Sequence, residues 1–223
     1  MKNLILFITA SVVIGVWANN ASAQYYNSNI SGRPISIQSN SEIIGTPYLL
    51  EDWNLGTVKL ADGKTYQVMM KYDEAQDKLI YKNEKEEIME FVNPVIGFDI
   101  KSKDGKQMKF VNGIANVPDW NAESYFQLLS DGDVKLVKKY IKTVQEAREY
   151  NAAAVKKSYV DSELYFVISN GEAKKIKANK KTILSVLANK GNEISNYIES
   201  NKISFKNDAD LSNVFNHYNS INK

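Results

Sequence analysis

The chain has 223 residues, with 28 basic and 26 acidic side chains, one histidine and no cysteine. A balance this even, with both signs interspersed, excludes the concentrated basic face of a nucleic-acid binder. The lack of cysteine excludes disulfides, thiol catalysis, thiolate metal sites, redox work and a lipid anchor of the bacterial type, so stability has to come from packing.

At the N-terminus, Lys2 opens a short positive region, Leu4 to Trp17 is apolar and uncharged, and Ala21-Ser22-Ala23 supplies small residues at −3 and −1. This pattern predicts a signal peptide over 1–23, cleaved between Ala23 and Gln24. Leu4 to Trp17 would rise about 21 Å as a helix, short of the roughly 30 Å hydrocarbon core of a membrane. No later stretch is apolar enough to span, so the expectation is a periplasmic or extracellular bacterial protein with no membrane span after signal removal.

Residues 24–42 are polar and rich in Ser, Asn and Gly. They predict a flexible segment, with a short strand at Pro34 to Ile37. Over 43–178 the pattern is strand throughout. Asp62-Gly63, Asp104-Gly105, Asp131-Gly132 and Asn170-Gly171 each lie between β-type segments. Such pairs accept positive φ at both turn positions and suit primed hairpin turns. A fifth hairpin joins Lys78 to Lys82 with Glu87 to Val92. Five hairpins make a meander of about ten strands, which must curl into a barrel or split into a sandwich.

Lys142 to Ser158 reads as a mobile insertion, either a short helix or a long hairpin excursion without an apolar stripe. The lysine-rich stretches at Lys138-Lys139, Lys156-Lys157 and Lys174 to Lys181 read as solvated strand edges and loops. Over 179–223 the period becomes helical. Asn179 caps a helix over Lys180 to Ala188, which Gly191 ends; Asn192 and Asn207 start two more. In the last, Leu211, Val214, Phe215 and Tyr218 form an apolar stripe. Helices this short must pack on the sheet. The fold class is mainly β, an antiparallel hairpin meander with a small helical C-terminal flank (α+β).

Chemistry-bearing residues are few. His217, the one histidine, reads as a partly exposed helix residue. Asp73, Glu74 and Asp77 could form a Ca²⁺ loop but lack the EF-hand glycine and terminal glutamate, and read as a polar connection between strands. Trp53, Trp120 and Tyr125 are the candidate ligand platforms, since aromatic faces bind sugars and peptides as readily as they pack sheets. No phosphate loop, nucleophile elbow or zinc-helix motif occurs. No catalytic, cofactor or metal residue is assigned.

The segments Gly45-Thr46-Pro47-Tyr48-Leu49, Gly56-Thr57-Val58, Asp62-Gly63-Lys64 and Met70-Lys71-Tyr72-Asp73 resemble a group of uncharacterised exported proteins common in Bacteroidetes-type bacteria. So do Lys180-Lys181 through Leu187 and Asp210-Leu211 through Tyr218-Asn219. The resemblance implies a diderm cell envelope and brings no site residues. Two functional expectations stand. One is a non-enzymatic envelope protein that binds a partner protein or a glycan. The other is a carboxylate-based glycan hydrolase, which needs two close carboxylates in an aromatic-lined cleft. A carrier of a small hydrophobic ligand would need an empty barrel lumen.

Overall fold

The computed structural model describes residues 30–37, 42–148 and 155–222. The signal-peptide reading, with Ala23 and Gln24, lies outside the described residues.

The chain is a hairpin meander, as the turn spacing predicts. Strands β1 (Gly32–Pro34), β2 (Ile43–Ile44), β3 (Asn54–Leu60) and β4 (Thr65–Asp73) come first. They are followed by β5 (Lys78–Lys82), β6 (Ile88–Phe91), β7 (Val95–Lys101) and β8 (Gln107–Val111). The last four are β9 (Phe126–Ser130), β10 (Val134–Arg148), β11 (Val155–Ser169) and β12 (Glu172–Ile176). Their order in the sheet is β1-β6-β5-β4-β3-β7-β8-β9-β10-β11-β12, with β2 pairing β11 in parallel off this path. All other pairings are antiparallel. The first strand lies at Gly32–Pro34, slightly earlier than expected, and pairs with β6.

The turns refine the expectation. Only Asn170-Gly171 has positive φ at both positions, 53° and 78°, and forms the two-residue primed turn. At Asp62-Gly63 and Asp104-Gly105 only the glycine is left-handed. Leu60 N there bonds Lys64 O at 2.9 Å and Ser102 N bonds Lys106 O at 2.8 Å, so these loops contain three residues. The glycine relieves the strand twist after an ordinary turn, which a two-residue loop would have to do within the turn.

The sheet curls but does not close, correcting the barrel expectation. Lys139 on β10 reaches Tyr72 on β4 at 3.2 Å, across the intervening strands β3, β7, β8 and β9. No pairing joins β1 to β12 among the described residues. One pairing path runs through the sheet. The concave side is filled rather than empty. Alternating residues Tyr66, Val68, Met70 and Tyr72 of β4 meet Phe98, Phe110 and Tyr125 there. The Phe98 and Phe110 rings stack at 4.6 Å, and Tyr125 meets Phe98 edge-on at 5.2 Å.

Over its described residues 142–148 and 155–158, the segment from Lys142 to Ser158 is the long-hairpin alternative. β10 and β11 pair continuously from Val134↔Ser169 to Arg148↔Val155. The reading of Lys138-Lys139 as a solvated edge is also corrected: both are buried, at 4 % and 2 % exposure. Their strand is covered on both faces. Val134 and Leu136 face the helices, while Val137 packs with Phe126 and Phe166 on the other side. An alternating pattern cannot survive where both faces are dry.

Three helices close the chain: α1 (Lys180–Val186), α2 (Gly191–Ser200) and α3 (Asp208–Ile221). Asn179 accepts from Thr182 N and Asn207 from Ala209 N, both at 2.9 Å, the expected caps. Gly191 begins α2 instead of ending α1, because a short 3-10 turn over Ala188–Lys190 links the two without a break. Leu211, Val214, Phe215 and Tyr218 are buried against the sheet, as their spacing predicts. No helix among the described residues is long and apolar enough to cross a membrane.

Candidate functional site: a polar groove between sheet and helix

β10 and β11 place Lys138 directly opposite Tyr165, and Tyr140 opposite Glu163. Side chains two apart on a strand share a face, so these four form one square patch. The N-terminus of α3 comes down beside it with Asn207 and Asp208. The space between is a groove of about 660 Å³, walled on its far side by Ser102, Asp104 and Lys106.

Lys138 organises the floor. Its Nζ lies 2.7 Å from Glu163 Oε1 and 2.8 Å from Asp208 Oδ2. It also sits 4.6 Å from the centre of the Tyr140 ring and 5.6 Å from that of Tyr165. Burial pushes the ammonium towards its neutral form, but hydrogen bonds to Asp208 and Glu163 outweigh this, and the net shift is upward. The charge is therefore permanent. Tyr165 Oη donates to Asp208 Oδ1 at 2.8 Å, and Tyr140 Oη donates to Gln127 Oε1 at 2.7 Å. Burial pushes the Tyr140 phenol up to about 12 and raises that of Tyr165 as well, so both remain neutral donors. α3 is pinned at the groove's edge by Ser212 Oγ, which donates to Leu129 O at 2.7 Å.

Glu163 and Asp208 are two carboxylates held on one ammonium. One oxygen of each, Glu163 Oε1 and Asp208 Oδ2, is engaged by Lys138, and Asp208 Oδ1 accepts from Tyr165. What remains for a ligand is a wall of hydroxyls, amides and charges that fix orientation, the features of a binding groove.

The sequence-predicted residues fall elsewhere and do not come together. Trp53 is partly buried with the ammonium groups of Lys71 and Lys82 each 5.3 Å from its ring. Trp120 packs edge-on to Phe166 at 5.7 Å and to Phe126 at 6.3 Å. Tyr125 belongs to the concave core and rims a smaller pocket of about 290 Å³. His217 is partly exposed, stacked on Tyr197 at 4.1 Å.

The acidic cluster is the connection between β4 and β5, and its three carboxylates serve three partners. Asp73 Oδ1 accepts from Ala75 N and Gln76 N, both at 2.9 Å, closing the turn. Glu74 lies 3.6 Å from Lys142, and Asp77 lies 2.6 Å from Lys139. Carboxylates so divided do not form the shared oxygen shell a Ca²⁺ ion needs. Among the described residues no group of three histidine or acidic side chains could hold a metal ion.

Sequence reasoning missed Lys138, Tyr140, Glu163, Tyr165 and Asp208. The available signal was a charged residue in the middle of an apolar strand, Leu136-Val137-Lys138-Lys139-Tyr140-Ile141. Comparison of the chain with family models, with curated proteins and with solved structures finds no match.

Proposed function

We propose that the chain is an exported, non-enzymatic binding protein of a bacterial cell envelope, and that its groove takes a polyhydroxylated ligand, a glycan segment. The observation that carries the reading is the floor of the groove, where Lys138 engages Glu163 and Asp208 and orients Tyr140 and Tyr165. Ser102, Gln107, Gln127 and Asn207 add donors and acceptors around an open slot, and neutral phenols offer both a hydroxyl and an apolar face to a sugar ring. Export is supported by Lys2, the apolar run from Leu4 to Trp17 and Ala21-Ser22-Ala23, together with the resemblance to exported diderm proteins.

The test is calorimetric titration of the mature chain with soluble peptidoglycan fragments and envelope polysaccharides, with reducing ends assayed in parallel. Binding that is lost in Tyr165→Ala and Gln127→Ala, with no new reducing ends, supports the reading. Absence of binding to any of these sugars overturns it, and accumulating reducing ends would replace it with the hydrolase.

A further inference from the structure

A second charged group lies apart from the groove, in the aromatic interior. Lys139, 2 % exposed, extends from β10 to the β4–β5 turn, where its Nζ is 2.6 Å from Asp77 Oδ2. The other carboxylate oxygen, Oδ1, accepts from Tyr72 Oη at 2.6 Å and from the backbone N–H of Tyr125 at 3.3 Å. The amine also donates to Tyr125 O at 3.1 Å. The rings of Phe126 and Tyr72 stand 5.5 Å and 6.0 Å from Nζ. An amine thus touches one oxygen of a carboxyl group while two donors hold the other.

We propose that Lys139 and Asp77 condense into an intramolecular amide, an isopeptide crosslink between β10 and the β4–β5 turn. Burial lowers the proton affinity of the amine, and burial together with Asp77 raises that of the Tyr72 phenol, which stays a donor. The step opens with transfer of one proton from Nζ to Oδ2, giving a neutral amine beside a neutral acid. Nζ then attacks Cγ. The C–N bond forms, and the electron pair of the C=Oδ1 bond moves onto Oδ1, where the Tyr72 hydroxyl and Tyr125 N–H stabilise it as an oxyanion hole does. A second proton passes from nitrogen to Oδ2, the Cγ–Oδ2 bond breaks, water leaves and the carbonyl re-forms. Ammonium and carboxylate become amide and one water, with no net change of charge and no co-reactant. The attacking and attacked groups are held in contact by the fold, which is the condition under which such a step becomes effectively unimolecular.

The site suits the molecule around it. The chain has no cysteine for a disulfide, and its sheet does not close. A bond from Lys139 to Asp77 would fasten the curled sheet across its open side.

The test is the intact mass of the natural chain, purified folded, held at neutral pH and denatured only for the measurement. The expected mass is one water below that calculated for the chain as purified, from its determined N-terminus, with a proteolytic fragment in which the Lys139 and Asp77 peptides are joined. Lys139→Arg should carry its full mass. A natural chain of full mass, or a water loss that maps to other residues, overturns the proposal. The reading does not depend on the folding of the variant, because the natural chain alone decides it.

Discussion

Asn219 on α3 treats Val134 on β10 as a neighbouring strand would. Its Oδ1 accepts from Val134 N at 3.1 Å and its Nδ2 donates to Val134 O at 2.9 Å, with a further donation to Asp131 O at 3.2 Å. The amide caps the start of the strand and holds the helix against it. Asn219→Ala would strand a backbone N–H and a C=O in a partly buried place. The expected loss is about 2 kcal/mol, read as a lower urea midpoint with an unchanged slope. An unchanged midpoint would mean that water replaces the amide without cost.

Lys138 and its two carboxylates are unequally sheltered, since the lysine side chain is 5 % exposed while Glu163 and Asp208 are 45 % and 31 %. Removing the lysine leaves carboxylates that can rehydrate. Removing the carboxylates leaves a buried ammonium that cannot. The double variant Glu163→Gln, Asp208→Asn should therefore lose about 3 to 5 kcal/mol, and Lys138→Met only about 1 to 2 kcal/mol. Urea unfolding of the two proteins decides the order, and the reverse order would refute this account of the groove floor.

Glu74 sets a pH dependence. Burial pushes its carboxyl from 4.5 up to about 7, against the pull of Lys142. The folded chain thus binds this proton more tightly than the unfolded one. The associated stability is fully present below about 4.5, declines as pH rises, and is lost above about 7. The amount is on the order of 3 kcal/mol. Subtracting the thermal stability profile of Glu74→Gln from that of the natural chain should isolate a falling step in this window. A difference that is flat or rising across it would contradict the assignment.

Gly56 lies where β3 runs between β4 and β7. A methyl group there would meet Asp99 O at 2.5 Å, Ile100 Cγ2 at 2.9 Å and Met70 Cε at 3.0 Å. The first of these is backbone in mid-sheet and cannot rotate away. Gly56→Ala should cost about 2 kcal/mol and lower the melting temperature, whereas Gly63→Ala, which meets no atom within 4 Å, should be strained only by its φ of +84°. Equal melting temperatures for Gly56→Ala and the natural chain would refute the close contact.

The hairpins were legible in the sequence because each depends on a few adjacent residues. Asn170-Gly171, and the β-branched and aromatic run beside it, suffice to make a turn and two strands. The α3 stripe was legible for the same reason: Leu211 to Tyr218 repeat within one helix. The groove was not. Lys138 and Asp208 are 70 residues apart and meet only because α3 docks on β10. Nor could the curl be read, since Lys139 reaches Tyr72 by the accumulated twist of several strands and not by any local preference. The lysines misled for a specific reason. A lysine in a strand is ordinarily at an edge, and only a long-range carboxylate partner changes that.

The meander also has a kinetic consequence. Most pairs in this sheet join strands that follow one another in the chain, so most loops close over a few residues before long-range entropy enters. Relative contact order is kept down by this arrangement, which favours rapid formation of individual hairpins. The exceptions are β3 with β7, β1 with β6 and β2 with β11, each enclosing whole hairpins. These three junctions, together with the reach of Lys139 to Asp77, are the slow steps the architecture implies, and the order in which amide protons become protected on refolding should follow that division.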